Sequence, residues 1–239
     1  MIEIRQLSTL EELDGALRLQ QEVWGFADLE ALPLRWFVVT SRIGGQVLGA
    51  YDGGCMVAFC AAIPGIKPGG KPYWHSHMLA VLPGYRNRGL GAQMKFRQRD
   101  DALARGIDLI EWTFDPLELK NAHFNMERLG AIARRYVENQ YGITASPLHG
   151  GLPTDRLIAE WRLVGRSFRA AAGLPPGATA ERISFPADIA RIRAGDPPRA
   201  REIQRVNGEK FRDAFARGLA VTHFERTAAE GIYVLEPLP

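Results

Sequence analysis

The stretch His75-Ser76-His77-Met78-Leu79-Ala80-Val81-Leu82-Pro83-Gly84-Tyr85-Arg86-Asn87-Arg88-Gly89-Leu90-Gly91 decides how the rest of the chain is read. It opens as an apolar run with alternating histidines, passes through a basic turn punctuated by glycine, and ends in a helix-forming segment. That order describes a strand feeding an anion cradle. Glycines at 89 and 91 let main-chain N–H groups approach an anion closely, and the following helix turns the positive end of its dipole to the same point. The ligand expected there carries a pyrophosphate. A dinucleotide fingerprint would need G-x-G-x-x-G and a mononucleotide loop G-x-x-x-x-G-K-[ST]. Neither is present; the spacing is Arg86-x-x-Gly89-x-Gly91.

This spacing, preceded by Leu79-Ala80-Val81 and Pro83, resembles the acyl-CoA signature [RQ]-x-x-G-x-[GA] of the GNAT superfamily of N-acyltransferases. The resemblance implies an α/β (α+β) fold with a mixed, mostly antiparallel central sheet flanked by helices. In that fold the strands containing His75–Val81 and Ile107–Phe114 splay apart around acyl-CoA. It further implies acyl-CoA, as acetyl-CoA or succinyl-CoA, as co-substrate, with no metal. The residues expected to contact it are Leu79, Ala80, Val81, Arg86, Asn87, Arg88, Gly89, Leu90, Gly91 and Ala92. Asn121 and Asn125 are candidates for bonding the pantetheine amides or the acceptor, Asn121 reading equally well as a helix N-cap.

Acyl transfer from a thioester to an amine needs a neutral amine, a polarised carbonyl and a thiolate able to leave. Histidine, with an ordinary pKa of ~6.5, suits the first need. His75 and His77 lie two apart, so on a strand both project to one face, together with Leu79 and Val81. The run His75-Ser76-His77-Met78-Leu79-Ala80-Val81 is similar to the H-x-H-x-L-A-V of arylalkylamine N-acetyltransferases, which implies that His77 and His75 take the amine's proton, directly or through water. Main-chain N–H groups near Leu79 are candidates for the oxyanion hole. Glu111, Thr113 and Asp115 share a face on the next strand, and in some family members an acid there is the base. Asp115 is the candidate at the strand end, with a turn role before Pro116 as the competing reading. One departure stands out. The family's Y-x-x-x-G-F places a tyrosine acid four residues before a glycine; with Gly130 as that glycine the position is Met126, which has no proton to give. Water, Tyr136 and Tyr141 are the substitutes.

The composition agrees with a soluble globular protein: 239 residues, 46% hydrophobic and 24% charged. A net charge of +3 suits anionic ligands, but the arginines are spread along the chain and interspersed with acids, which disfavours a nucleic-acid partner. Cys55 and Cys60 match no metal or redox spacing and read as buried thiols. No leader or membrane-length apolar run is evident, so the expectation is a cytoplasmic protein with a small-molecule amine as acceptor and no membrane partner. A homodimer is compatible with this reading.

Outward from the central stretch, Thr9 and Glu12 form the pattern of a capping box for a helix to about Trp24, stopped by Gly25. Leu34–Val39 reads as a helix or a strand. Gln46–Ala50 and Cys55–Ile63 form a hairpin around Asp52-Gly53-Gly54, followed by a loop from Pro64 to Pro72, a strand Tyr73–Val81 and a helix Gly89–Arg105. Ile107–Phe114 is a strand, Asn121–Leu129 a helix, and Ala131–Tyr141 with Leu157–Val164 a closing strand pair. The GNAT-like domain is expected over 1–165. Residues 166–239 form a C-terminal extension packed on or completing it, with a helix at Arg199–Arg217 and a strand at Gly231–Leu235. Trp112–Leu117 and Asn121–Asn125 resemble a GNAT subfamily with extended C-termini, some members of which are linked to N-succinylation of amino acids. An amino-acid acceptor would call for cationic forks, for which Arg134, Arg135, Arg156 and Arg162 are candidates. The alternatives are a small-amine acetyltransferase and a catalytically weak module that binds acyl-CoA as a sensor or scaffold.

Overall fold

The capping box at Thr9 is formed in the computed structural model, which describes residues 1–25, 31–142, 151–164 and 180–238. The Thr9 hydroxyl accepts the Glu12 N–H (3.2 Å) and the Glu12 carboxylate accepts the Thr9 N–H (3.0 Å). Helix α1 (Leu10–Trp24) then runs to Gly25, whose φ of 64° is the left-handed cap that ends it. The ambiguous segment after it is helix α2 (Leu34–Arg42), with Phe37 and Thr40 buried at helical spacing.

The described residues divide into two units, Met1–Glu111 and Trp112–Pro239. In the first, strands β1 (Glu3–Gln6), β2 (Gln46–Asp52), β3 (Cys55–Ile66) and β4 (Pro72–Val81) lie side by side and antiparallel. The start of β5 (Leu109–Phe114) adds to β4 in parallel through Trp74↔Ile110 and His75↔Glu111. The loop expected from Pro64 is shorter than the sequence suggested. Pro64, Gly65 and Ile66 stay in register with β4, and the turn closes only at Lys67, whose N–H donates to Lys71 O. Each face of the sheet is covered. On one, Leu13 and Leu19 of α1 and Phe37 of α2 meet Val47, Phe59 and Ala80. On the other, Leu90 and Met94 of α3 (Leu90–Ala104) meet Leu48, Val57 and Cys60. Of the two cysteines expected inside, Cys60 is buried and Cys55, at the hairpin tip, is exposed.

Gly45, where α2 hands over to β2, is held by close backbone approach. A Cβ there would lie 2.5 Å from Ala62 O and 2.6 Å from Thr40 O, neither of which is free to swing away. Gly45→Ala is expected to destabilise the protein by ~1–3 kcal/mol, the usual cost of overpacking. An unchanged denaturation midpoint would show that the hairpin shifts without resistance.

The second unit contains the end of β5, α4 (Leu119–His123), a π-helical turn over Phe124–Arg128, β6 (Ile132–Val137), β7 (Arg156–Arg162), β8 (Glu181–Pro186), α5 (Ile189–Gly195), α6 (Pro197–Ala216), β9 (Leu219–Arg226) and β10 (Glu230–Pro237). Its antiparallel strands run in the order β7-β6-β9-β10-β8. Phe185, Phe211, Phe224 and Tyr233 pack as its aromatic centre, with the Phe224 and Tyr233 rings 4.8 Å apart. Strands β8 and β9 and helix α5 were not read in the sequence. The arginine-rich run is an ion-paired helix face: Arg205 reaches Glu202 and Glu209 on its own helix. Among the described residues no helix is long and apolar enough to cross a membrane.

Candidate active site

Strand β4 carries an extra residue. Ala61 of β3 faces Met78 while Ala62 faces Ser76, so His77 is the bulged position. Before the bulge, Trp74 and Ser76 are buried, and the Ser76 hydroxyl accepts a hydrogen bond from Lys95 Nζ of α3 at 2.7 Å. His75 and His77 face the other way. The His77 ring lies 5.3 Å from Trp36 of α2 and 5.8 Å from the His75 ring. Beyond the bulge, Met78 and Ala80 pack on the α1 and α2 side, whereas Leu79 and Val81 pack with Leu90 and Met94 of α3. The expectation that Leu79 and Val81 share the histidines' face is thus corrected, because one inserted residue inverts the strand's alternation.

Neither imidazole makes a hydrogen bond among the described residues. Burial lowers the pKa of His75 to about 4, and the neighbouring His77, Lys95 and Lys67 push the same way against Glu111. Burial also lowers the pKa of His77, although its residue surface remains exposed. Both rings are therefore neutral at pH 7 and able to accept a proton. Behind them, Lys95 is fully buried and its pKa falls to about 8 through desolvation. Gln98 donates to Cys60 Sγ at 3.2 Å beside it.

The turn that follows β4 is shaped by its own backbone. Pro83–Tyr85 make one 3₁₀ turn, Arg86 Nε donates to Val81 O (2.9 Å), and Asn87 and Gly89 adopt φ of 60° and 80°. Arg88 lies over the Tyr85 ring, whose hydroxyl donates to Asp52. Helix α3 starts at Leu90 with no side-chain cap, leaving Leu90, Gly91 and Ala92 to present the N–H groups of its first turn. Leu90 is buried and anchors that turn; a Cβ on Gly91 would touch only Leu79, at 3.7 Å. The residues expected around the cradle thus lie on one continuous strand, turn and helix start.

In the second unit, both Asp115 oxygens have partners: Oδ1 accepts the Leu117 N–H (2.8 Å) and Oδ2 accepts Arg193 Nη2 (3.0 Å). Asn121 is exposed inside α4 rather than at its cap, since that helix is preceded by Glu118. Asn125 is buried, its Oδ1 accepting Trp112 Nε1 at 3.1 Å. Met126 is fully buried. Tyr136 donates its hydroxyl to Asp155, and burial raises its pKa; Tyr141 is half-exposed with its hydroxyl 3.0 Å from Thr113 Oγ1. Arg134 and Arg135 both bind the buried Glu160, while Arg156 is buried with its guanidinium over the Tyr141 ring.

Three residues of consequence went unread: Trp36, Lys67 and Lys95. Lys67 donates to Glu111 at 2.6 Å beside His75. For Lys95 a signal existed. Leu90, Met94, Gln98 and Ala102 recur every four residues as the buried stripe of α3, and Lys95 flanks it.

The sequence pattern of the Acetyltransferase (GNAT) family matches residues 8–131, just over half of the chain. Solved structures are similar in fold. The ribosomal-protein-S18-alanine N-acetyltransferase from Escherichia coli is 20% identical with a TM-score of 0.53, over 70% of this chain and 97% of that one. An aminoglycoside 6′-acetyltransferase type Ii is 18% identical with a TM-score of 0.54, over 69% and 99%. An N-acetyltransferase from Staphylococcus aureus is 14% identical with a TM-score of 0.55, again over 69% and 99%. No curated protein matches the sequence. With a strand, a left-handed turn and an uncapped helix start in the family's order, and the family's pattern running through them, the chain belongs to the GNAT acetyltransferases.

Proposed function

We propose that this protein transfers an acyl group, acetyl or succinyl, from acyl-CoA to the primary amine of a small molecule, with an α-amino acid as acceptor. The observation that carries the reading is the pair of neutral, solvent-reachable imidazoles leading into and occupying the bulge of β4, on the strand that leads into the α3 cradle. The cradle suits a pyrophosphate. Its left-handed residues, Asn87 and Gly89, bend the chain so that the uncapped first turn of α3 is presented to solvent, and an anion there meets N–H groups and the positive helix end together.

In the proposed reaction, His77, assisted by His75, takes a proton from the substrate ammonium. The freed amine attacks the thioester carbonyl, whose developing oxyanion is met by main-chain N–H groups near Leu79, and the C–S bond breaks as the C–N bond forms. The thiolate departs without a tyrosine acid at position 126. A thiol with an ordinary pKa of ~8.5 tolerates that, and water supplies its proton. Asp115, held by Leu117 and Arg193, fixes the end of β5 in this scheme.

The test is CoA release from acetyl-CoA and succinyl-CoA crossed with amino acids, arylalkylamines and peptides. Fastest release is expected with an amino acid and succinyl-CoA. Preference for acetyl-CoA with a carboxylate-free amine would replace this choice by a small-amine acetyltransferase. The buried Met126 favours a second reading, a module that binds acyl-CoA as a sensor; tight CoA binding without release from any pair would establish it.

A further inference from the structure

Lys67 stands where β3 turns back toward β4, a position from which a lysine ordinarily extends into water. Here it folds inward. Its side chain is 25% exposed, its ammonium lies 4.4 Å from the centroid of the Tyr73 ring, and it donates to Oε2 of Glu111 at 2.6 Å. The Glu111 side chain is 5% exposed. Taking two charges out of water costs enough that such a pair is weak evidence for stability, so its location is the more informative fact. Glu111 is the direct partner of His75 across the parallel β4–β5 register.

The titratable groups that act on His75 are His77 on its own strand, Glu111 on β5, Lys67 in the hairpin and, from the opposite face of the sheet, Lys95 of α3, while α2 meets the histidine pair with the uncharged Trp36. Strand β3 opposes it with Ile63, which bears no charge. Among these groups only Glu111 favours an imidazolium. We propose that Lys67 is a positioning residue for the proton step: held by Tyr73, its ammonium clamps the Glu111 carboxylate beside His75 and so sets how the histidine pair takes and releases the amine's proton. The catalytic part of this inference rests on the acyl-transfer reading; the electrostatic part rests on the first unit's geometry alone. With Lys67 in place the carboxylate is already paired, and a proton moved from the substrate ammonium to the imidazole passes on to water. Without Lys67 one cation opposing the His75 imidazolium is gone while the Glu111 carboxylate beside it stays, so the proton is held longer on His75.

The experiment is an NMR titration of the histidine rings in the full chain, with His75 assigned by its loss in His75→Ala. Lys67→Met is expected to raise the His75 midpoint by about one unit, because it removes a cation that disfavours the imidazolium and takes from Glu111 its Lys67 partner. Glu111→Gln is expected to lower it or leave it in place, and Lys67→Arg to match the wild type. Opposite responses to Lys67→Met and Glu111→Gln separate this role from mere loosening, which would move both the same way. In turnover, the acid limb of kcat/KM moves to higher pH in Lys67→Met alone. An unmoved His75 midpoint in Lys67→Met, or the same displacement in both variants, overturns the inference. If the midpoints move as expected while no amine releases CoA, the electrostatic coupling stands and the acyl-transfer reading falls.

Discussion

His77→Ala is expected to lower kcat by ~10²–10⁴-fold, the usual contribution of a general base, while CoA affinity stays close to wild type. The separation follows from position. His77 sits at the bulge, against Trp36, whereas the cradle begins after Val81 and is built from main chain. The pH dependence has a definite sign. Burial depresses both histidines, so the neutral base persists below the ordinary ~6.5 and the acid limb of kcat/KM lies below that value. In the His75/His77 double substitution that limb should vanish; if it survives, the base is Glu111 or Asp115. Stability carries the same sign. Between pH ~6.5 and about 4 the unfolded chain binds a proton that the folded His75 refuses, so stability is lost as pH falls through that window, and His75→Ala removes that part of the loss while the part due to His77 remains.

What could be read from the sequence, and what could not, follows from the kind of signal each feature leaves. The capping box at Thr9, the hairpin at Gly53–Gly54 and the turn into α3 were legible because specific residue types are needed there for backbone reasons. The histidine pair was legible as a pair. Its neighbours were misassigned: a bulge adds one residue without changing composition, so nothing in the pattern of 75–81 announced that Leu79 and Val81 would turn to α3. Lys67 left no signal, and Lys95 only its place beside the buried stripe of α3, for a different reason. Lysine is exposed by default, and its burial depends on partners distant in sequence, Glu111 for one and Ser76 for the other. Asn121 and Asn125 were chosen for their amides; the structure spends Asn125 on Trp112 and leaves Asn121 inside an exposed helix face. Strand β8 and helix α5 escaped because Pro175, Pro176, Gly177, Pro186, Gly195 and Pro197 divide that region into pieces too short for periodicity to identify; β9 lies in an unbroken run between Gly218 and Gly231, and its β-prone Val221-Thr222-His223-Phe224 was the signal that went unused.

Gly91→Trp is expected to weaken CoA binding by ~10²–10⁴-fold without unfolding the protein. The estimate assumes two hydrogen bonds from the first turn of α3 to a charged pyrophosphate, each contributing about 1.5–3 kcal/mol. The structure allows the substitution sterically at its root, since a Cβ on Gly91 meets only Leu79 at ordinary contact distance and φ there is not left-handed. Gly91→Ala should therefore fold and retain most of its affinity. A large ring, by contrast, would stand over the N–H groups of the first turn, in the space an anion must enter. The opposite neighbour provides a contrast, because Gly89 has φ of 80° and any side chain there is strained before a ligand arrives. Gly89→Ala is thus expected to lower the melting temperature, whereas Gly91→Trp is expected to lower affinity at nearly constant melting temperature. Calorimetry with CoA and thermal melts on the three variants resolve the two effects. Wild-type CoA affinity in Gly91→Trp would remove the anion from the start of α3 and, with it, the assignment of the 86–92 turn as the cradle.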